Sequence, residues 1–279
     1  GKVSVGPPYF NAVFVPLMAL LVPFMGFGPV SRWKKDTTRR WRSELAVPAL
    51  IALLCGITLP LLAAPYNPWV ALAVLFSSWL LLGLLRDMWG RTRGASSTAR
   101  ALRRLTPSYW GMVVAHTGFA ACVTGIVVTS QYTIEHDLKM QPGDSRTLAG
   151  YEFRFLEVAS VKGPNYVADE ARFEVTRNGK MVALLAPQKR RYLASGSVMT
   201  EAAIDPGLSR DLYVAMGEPI GSEGAWAMRL HYKPMVRWMW LGAILMALGG
   251  FTSAMDKRYR RQRSVSGAGI ANAELAHGS

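Results

Sequence analysis

The 279 residues carry a net charge of +14 at pH 7, although 51% of them are hydrophobic. Such a basic chain first suggests a nucleic-acid-binding protein, but its charge is not spread over a surface: 17 of the 32 Lys and Arg residues lie in 31–44, 86–106 and 256–263, each beside an apolar run. The long segment 131–234 is neutral, with 13 basic and 13 acidic residues. This distribution argues against a nucleic-acid-binding protein and is typical of a membrane protein with basic cytoplasmic loops.

Apolar runs recur along the chain, and a bilayer core about 30 Å thick needs about 20 apolar helical residues to cross it. In chain order the predicted membrane helices are 11–30, 45–64, 69–85, 107–130 and 235–254. Because basic residues collect on the cytoplasmic side, 131–234 is predicted to lie outside the cytoplasm.

The predicted domains follow from these spans: four membrane helices with two basic cytoplasmic loops (1–130), an outer domain (131–234), a fifth helix (235–256) and a basic, partly disordered cytoplasmic tail (257–279). No charged segment or cleavage site precedes the first apolar run, so no signal peptide is predicted, and the start at Gly1 suggests a fragment or a processed piece. Cys55 and Cys122 lie in apolar runs without CxxC or zinc-like spacing, which predicts packing residues and no disulfide.

The outer segment has the pattern of β-structure. YEFRFLEV (151–158) alternates aromatic and polar residues, as a half-buried strand does. ARFEVT (171–176) and MVALLA (181–186) flank Asn178-Gly179, the pair that a type I′ hairpin turn requires. Three more strands are predicted near 197–203, 211–216 and 225–232, and turns at 163–165, 205–207 and 217–219. The predicted fold class is a polytopic α-helical membrane protein with five spans and an inserted β-rich domain, a small barrel or sandwich.

The fourth span contains no Lys, Arg, Asp or Glu and has one histidine, His116. In a helix opened by Pro107, His116 lies about 14 Å along the axis, near the membrane midplane. A polar group there is costly unless something satisfies it, so it is a candidate functional residue. Three interpretations stay open: a haem axial ligand, another functional polar group, or a structural histidine hydrogen-bonded across helices. A bis-histidine haem site needs a second histidine, and no other predicted span contains one.

Small residues form one stripe on each of the last two spans, and such stripes let membrane helices approach closely. On the fourth span they are Gly111, Ala115, Gly118, Cys122 and Gly125. On the fifth span the small residues on one face are Ala243, Ala247, Gly250 and Ala254.

The other candidate residues are weaker. His136 and His231 flank the outer segment and could face each other around a haem or a metal, but solvated interfacial side chains are the favoured interpretation. His277 is predicted to be inert. The basic triplet Lys189-Arg190-Arg191 could meet haem propionates or an acidic partner, although a solvated loop is favoured. Four acidic residues could line a site or equally occupy solvated turns: Glu201, Asp205, Asp211 and Glu218.

Several segments together resemble the C-terminal part of CcmF, the large membrane subunit of the bacterial cytochrome c haem lyase. They run in order along the chain: SVGPPYFN (4–11), GMVVAHTG (111–118), GPNY (163–166), MTEAAID (199–205), RDLYVAMGEP (210–219) and KPMVRWMWLGAILMALGG (233–250). The resemblance extends from about residue 4 to about residue 260 and includes the outer domain.

The resemblance implies a protein of the bacterial inner membrane that attaches haem to apocytochrome c in the periplasm. It implies transfer of haem from the chaperone CcmE, partners CcmH and CcmI, and a resident haem b that passes electrons, with quinol as their possible source. The histidine of GMVVAHTG resembles one of the two haem b ligands, which carries that role to His116.

The family's tryptophan-rich haem-handling segment, its periplasmic haem-ligating histidines and its other haem b histidine belong N-terminal to the matching part, so the present chain is not expected to be active alone. No ligand role carries over to His136 or His231. A different class of function stays open, a non-catalytic membrane scaffold whose outer domain docks maturation partners.

Overall fold

The structure is a computed structural model that describes residues 6–31, 37–62, 65–221 and 224–256. The predicted tail, with His277, and part of the first basic segment lie outside the described residues. The chain forms two compact units, one of residues 1–124 with 239–279, and the other Gly125–Trp238.

The first unit is helical. Its helices, two of which continue into the second unit, are α1 (Pro7–Phe27), α2 (Thr38–Leu61), α3 (Pro68–Thr92), the short α4 (Thr98–Arg103), α5 (Pro107–Tyr132) and α6 (Val236–Ala254). Among the described residues three helices are long and apolar enough to cross a membrane: Arg39–Leu61 within α2, α3 and α5. The spans predicted at 11–30 and 235–254 coincide with helices α1 and α6, and as membrane spans they stay predictions.

Local sequence explains where the helices begin. Asn67 precedes α3, and its side-chain oxygen accepts a hydrogen bond from the Trp69 amide at 2.9 Å while Pro68 occupies the first turn. Thr37 caps α2 in the same way through the Arg40 amide. Pro16 and Pro23 lie inside α1, which ends at Phe27 in a 3-10 turn that contains Pro29.

Close backbone contacts hold α1, α2 and α3 together. A Cβ on Gly56 would lie 2.6 Å from the Leu75 Cβ, and a Cβ on Gly83 would lie 2.6 Å from the Gly26 carbonyl oxygen. The Trp79 indole, in α3, donates to the Pro23 carbonyl of α1 at 3.0 Å. Glu44 and Arg86 form an ion pair between α2 and α3.

The second unit is a β-sandwich of ten described strands. They are β1 (Ile134–Met140), β2 (Ser145–Leu148), β3 (Tyr151–Lys162), β4 (Tyr166–Arg177), β5 (Lys180–Leu185), β6 (Gln188–Tyr192), β7 (Val198–Glu201), β8 (Ala203–Pro206), β9 (Arg210–Ile220) and β10 (Ala225–Pro234). One sheet has the order β1-β10-β9-β8 and the other β2-β3-β4-β6-β7, with β5 paired to β4. The sandwich prediction is confirmed and the barrel alternative is wrong, because the strands form two separate sheets.

Inward-facing residues of both sheets make one core, as alternation along the strands requires. Phe155 and Phe173 stack at its centre with their ring centroids 4.8 Å apart. Core residues from the other sheet include Leu212, Val214 and Leu230, all fully buried. Burial of these large side chains supplies the main driving force for folding of this unit.

The predicted hairpin is confirmed, since Asn178 and Gly179 both have positive φ (52° and 73°) between β4 and β5. The predicted strand at 197–203 divides into β7 and β8, which belong to different sheets. The turn predicted at 217–219 is wrong: those residues lie within β9, where Gly217 and Glu218 together oppose the single residue Ala227 of β10. The turn predicted at 205–207 begins later, because Asp205 and Pro206 pair with β9.

Candidate functional site

Helix α5 packs on α6 through its predicted stripe of small residues. A Cβ on Gly118 would lie 2.6 Å from the Gly242 carbonyl oxygen, and a Cβ on Gly249 would lie 2.5 Å from the Gly111 carbonyl oxygen. Such contacts are possible only because neither residue has a side chain. The stripe on α5 is therefore confirmed.

The small residues noted on one face of the fifth span do not make this contact with α5. Ala243, Ala247, Gly250 and Ala254 are all exposed. The face that meets α5 contains Gly242 and Gly249, seven residues apart and both buried. Both faces of α6 have small residues at helical spacing, so spacing alone does not determine which of them packs.

Asp256 completes this helix pair. Its carboxylate accepts a hydrogen bond from the Ser108 amide of the first turn of α5 at 3.1 Å, and only 5% of the residue is exposed. An anion at a helix N-terminus compensates the partial positive charge of the unpaired amides. The predicted fifth span ends at residue 256, and nothing in the local sequence indicates this role for Asp256.

The opposite side of α5 is fixed to α3 by side-chain hydrogen bonds. Ser77 is buried, and its hydroxyl donates to the Ala120 carbonyl at 3.2 Å. Thr124 donates to the Ser77 hydroxyl at 2.9 Å. Ala120 follows His116 by about one turn. The histidine therefore lies on a part of α5 that is held in place by α3 on one side and by α6 on the other.

The geometry of His116 determines which ring nitrogen can bind a ligand. Nδ1 lies 2.8 Å from the Met112 carbonyl oxygen one turn earlier in α5. A carbonyl can only accept, so Nδ1 carries the hydrogen and Nε2 keeps a lone pair. A neutral imidazole with a bonded Nδ1–H is the form in which histidine ligates metals, including haem iron. The side chain is half-buried on an apolar helix, so this residue fits one axial position of a haem.

The structure does not bring the two outer histidines together. In the pairing of β1 with β10, His136 is opposite Leu230, whereas His231 is opposite Glu135. His136 is exposed, as predicted, but His231 is only 6% exposed, so the prediction of a solvated side chain is wrong for it. No group of three or more potential metal-binding residues occurs in the described part of the chain.

His231 has an unusual environment for an outward-facing strand residue. Its Nδ1 is 3.4 Å from a Glu135 carboxylate oxygen and makes no hydrogen bond, and its ring packs edge-on against Tyr213 with centroids 4.7 Å apart. Burial lowers the pKa of His231 from its ordinary value of 6.5; the charge of Lys233 lowers it further, while Glu135 opposes the shift.

The basic triplet lies in strand β6 and not in a solvated loop. Lys189 pairs with Glu218, Arg190 lies over the Tyr166 ring at 4.5 Å, and Arg191 is exposed. Lys189 and Arg191 line a cavity of about 310 Å³ together with Trp226.

The four acidic candidates do not converge on a site. Glu201 lies 3.6 Å from Arg190, and Asp205 lies 2.5 Å from Arg210. Asp211 accepts a hydrogen bond from the Gly207 amide, and Glu218 pairs with Lys189. Each carboxylate therefore has its own local partner.

Comparisons with known proteins agree with the resemblance found in the sequence. Residues 131–234 match the family model described as the CcmF C-terminal beta-sandwich. The chain is 46% identical over 276 residues to the cytochrome c-type biogenesis protein CcmF of Pseudomonas fluorescens, and 49% identical over 261 residues to CcmF of Pseudomonas aeruginosa. These matches cover 97% and 93% of this chain but 41% and 39% of the relatives.

A more distant relative and a solved structure extend the comparison. CcmF of Escherichia coli K12 is 41% identical over 267 residues, a match that covers 95% of this chain and 40% of that protein. A structure titled cytochrome c heme lyase CcmF matches with a TM-score of 0.66 and 23% identity, covering 90% of this chain and 41% of that one. The chain thus spans about two fifths of the length of the relatives it matches.

Proposed function

We propose that this chain, which resembles the C-terminal part of CcmF over nearly its whole length, is part of a haem lyase that attaches haem to apocytochrome c. The observation that carries the proposal is the match at 46–49% identity over more than nine tenths of the chain. The names of these relatives supply the process, cytochrome c biogenesis.

Within this proposal His116 is an axial ligand of a haem b. The Met112 carbonyl holds the Nδ1 hydrogen, so Nε2 is the ligating atom. The contacts of α5 with α3 and α6 hold the helix that positions this half-buried imidazole. A haem bound here supplies a one-electron carrier whose potential is set by its axial ligands and by burial. The second ligand belongs to a part of the family that lies N-terminal to the present match.

The same proposal covers the membrane arrangement and the partners. Five spans place 1–130 and 235–256 in the bacterial inner membrane, 257–279 in the cytoplasm and the 131–234 domain in the periplasm. The expected partners are the haem chaperone CcmE, CcmH and CcmI, apocytochrome c, and quinol as an electron donor.

A reduced-minus-oxidised difference spectrum tests the role of His116. We expect His116→Ala, in a full-length protein that includes the N-terminal part, to lose the b-type signal while the protein remains in the membrane. The matched control is His136→Ala, which removes an exposed histidine and should leave the spectrum unchanged. An unaltered spectrum in the His116 variant would exclude axial ligation by this residue.

The alternative is a non-catalytic scaffold that docks maturation partners through its outer domain. One observation favours it: the hydrogen bond of His116 to its own helix already satisfies one ring nitrogen without any cofactor. Under this alternative the purified full-length protein contains no redox-active haem, so the same spectrum distinguishes the two functions.

A further inference from the structure

One end of the β-sandwich is tied to the ends of the apolar helices. The unit Gly125–Trp238 includes the last two turns of α5 and the start of α6. The Thr129 hydroxyl of α5 donates to the Pro234 carbonyl at 2.6 Å. Met235, with φ of 56°, makes the sharp turn from β10 into α6. This end of the sandwich therefore lies next to the C-terminal end of α5, a helix long and apolar enough to cross a bilayer.

The β8–β9 loop is held at this end. The Met235 amide donates to the Ser209 carbonyl at 3.1 Å, and the Trp238 indole donates to the Leu208 carbonyl at 2.9 Å. Both bonds use the backbone of the loop, so the Leu208 side chain is free to point outward and is 74% exposed. An exposed leucine fixed beside a tryptophan at a helix end matches the composition of membrane interfaces.

Two arginines converge on one buried tyrosine at the same end. Arg177 and Arg210 both donate to the Tyr151 hydroxyl, at 3.0 and 3.2 Å, and both guanidinium groups lie over its ring. The strand that begins with Arg210 pairs that residue with Pro234, so the cluster is adjacent to the entry into α6.

The two arginines differ in what neutralises them. Arg210 is 12% exposed and pairs with Asp205 at 2.5 Å, so its charge is compensated inside the protein. Arg177 is exposed and pairs with no carboxylate among the residues that the structure describes. One of its five N–H groups is used by Tyr151, which leaves a rigidly held guanidinium with donors for an external anion. Lys180, its exposed neighbour across the hairpin, adds a second positive charge.

We propose that Arg177, Lys180, Leu208 and Trp238 form a basal surface that binds the outer face of the bilayer. Arg177 and Lys180 contact lipid headgroup phosphates, while Leu208 and Trp238 enter the interfacial layer beside α6. The surface holds the sandwich against the membrane at a third point in addition to the two chain connections. This inference goes beyond the proposed haem lyase function and does not depend on His116.

The first test measures the depth of Leu208 in lipid nanodiscs, where both membrane faces are accessible. Leu208→Cys is labelled with a fluorophore in the full chain, in which Cys55→Ala and Cys122→Ala remove the native thiols. The matched control is Leu193→Cys, because Leu193 is 67% exposed and its amide binds the Asn165 carbonyl at the other end of β4. We expect lipids brominated near the headgroup to quench the label at 208 several-fold more strongly than the label at 193, and aqueous iodide to show the reverse order.

The second test removes the charges. Arg177→Gln, which keeps a donor for Tyr151, is combined with Lys180→Gln in nanodiscs that contain phosphatidylglycerol. The ratio of lipid-exposed to water-exposed label at 208 should fall roughly fivefold for each charge removed. Arg191→Gln, at the end of the sandwich that contains Leu193, is the control and should change nothing. If the double variant fails to fold, Lys180→Gln alone still reports the charge, since its side chain is exposed.

Three results would overturn the proposal. The label at 208 could be quenched by brominated lipid no more than the label at 193. It could be protected from both quenchers, which would mean that another protein segment covers the surface. Removal of the two charges could leave the quenching ratio unchanged, which would show that Arg177 and Lys180 do not contact lipid phosphates. None of these readouts involves haem, so their failure is separate from a failure of the haem lyase proposal.

Discussion

His231 is a buried histidine whose Nδ1 makes no hydrogen bond, and this makes the sandwich sensitive to acid. Burial favours the neutral ring, so its pKa is lowered in the folded state relative to the ordinary 6.5. Between the two pKa values the unfolded chain therefore binds a proton at His231 that the folded chain does not bind. The free energy of unfolding keeps its full value above the pKa of the unfolded chain, 6.5. It falls as the pH decreases from 6.5 toward the lowered pKa that His231 has in the folded state.

We therefore predict that His231→Gln weakens the loss of stability between roughly pH 8 and pH 5. The measurement is the thermal unfolding midpoint of the full chain in detergent, followed by the circular dichroism of its strands. Glu135, Arg229, Lys233 and Tyr213 surround the ring and stay unchanged in this variant. His136→Gln, on an exposed histidine of the paired strand, should keep the wild-type pH dependence. If the unfolding midpoint falls equally with decreasing pH in both variants, the acid sensitivity does not come from His231.

For single residues, the sequence identifies some candidate positions and misses others for a physical reason. His116 was found because an uninterrupted apolar run makes one polar residue conspicuous. His231 was misjudged because its burial depends on Tyr213, a neighbour on another strand. Asp256 was missed because its partner, the Ser108 amide, is 148 residues away in the chain. A local sequence pattern does not reveal partners that lie far away in the chain.

The α5–α6 contact is the element on which the placement of His116 most depends, and its glycines provide a matched pair of variants. We predict that Gly249→Leu displaces α6, because a Cβ there meets the backbone of Ala115 and Gly111 at 2.5 Å and backbone cannot move aside. Overpacking of this kind typically costs about 1–3 kcal/mol. Gly250→Leu adds the same side chain one residue later, where no atom lies within 4 Å of a Cβ.

The comparison is made by the thermal unfolding midpoint of each variant in the same detergent. Gly249→Leu should lower the midpoint clearly, while Gly250→Leu should equal or exceed the wild type, since leucine is a better helix former than glycine. A larger loss at 250 than at 249 would show that the other face of α6 makes the contact.

Strands and turns could be predicted where the sequence pattern is compatible with only one local structure. The alternation at 151–158 and the Asn178-Gly179 turn predicted strands and a hairpin that the structure confirms. The Gly217-Glu218-Pro219 prediction failed because β9 has an extra residue there, a bulge that accommodates glycine and proline without ending the strand. Strands β1, β2 and β6 were not predicted, since their charged residues hide the alternation and their pairing depends on distant strands.

For the whole molecule, the separation into two units makes the β-sandwich removable in a controlled way. The chain enters the sandwich at Ile134 and leaves it after Tyr232, and these two residues are paired. The Thr129 hydroxyl donates to the Pro234 carbonyl close by. A short Gly-Ser linker can therefore replace 134–234 while α5 and α6 keep their mutual contacts, which involve Gly111, Gly118, Gly242 and Gly249 of the helical unit.

We predict that this deletion abolishes cytochrome c maturation but retains the b-type difference spectrum. Maturation requires the outer domain in both proposed functions, whereas His116, the proposed haem ligand, lies in the unit that remains. The measurement is covalent haem in c-type cytochromes in a host without its own CcmF, with the N-terminal part supplied. A variant with the same linker inserted after Gly221, at the turn between β9 and β10, controls for the linker. Normal maturation without the domain would remove any role for it in docking or haem positioning, and loss of both signals would show that the helical unit needs the sandwich to fold.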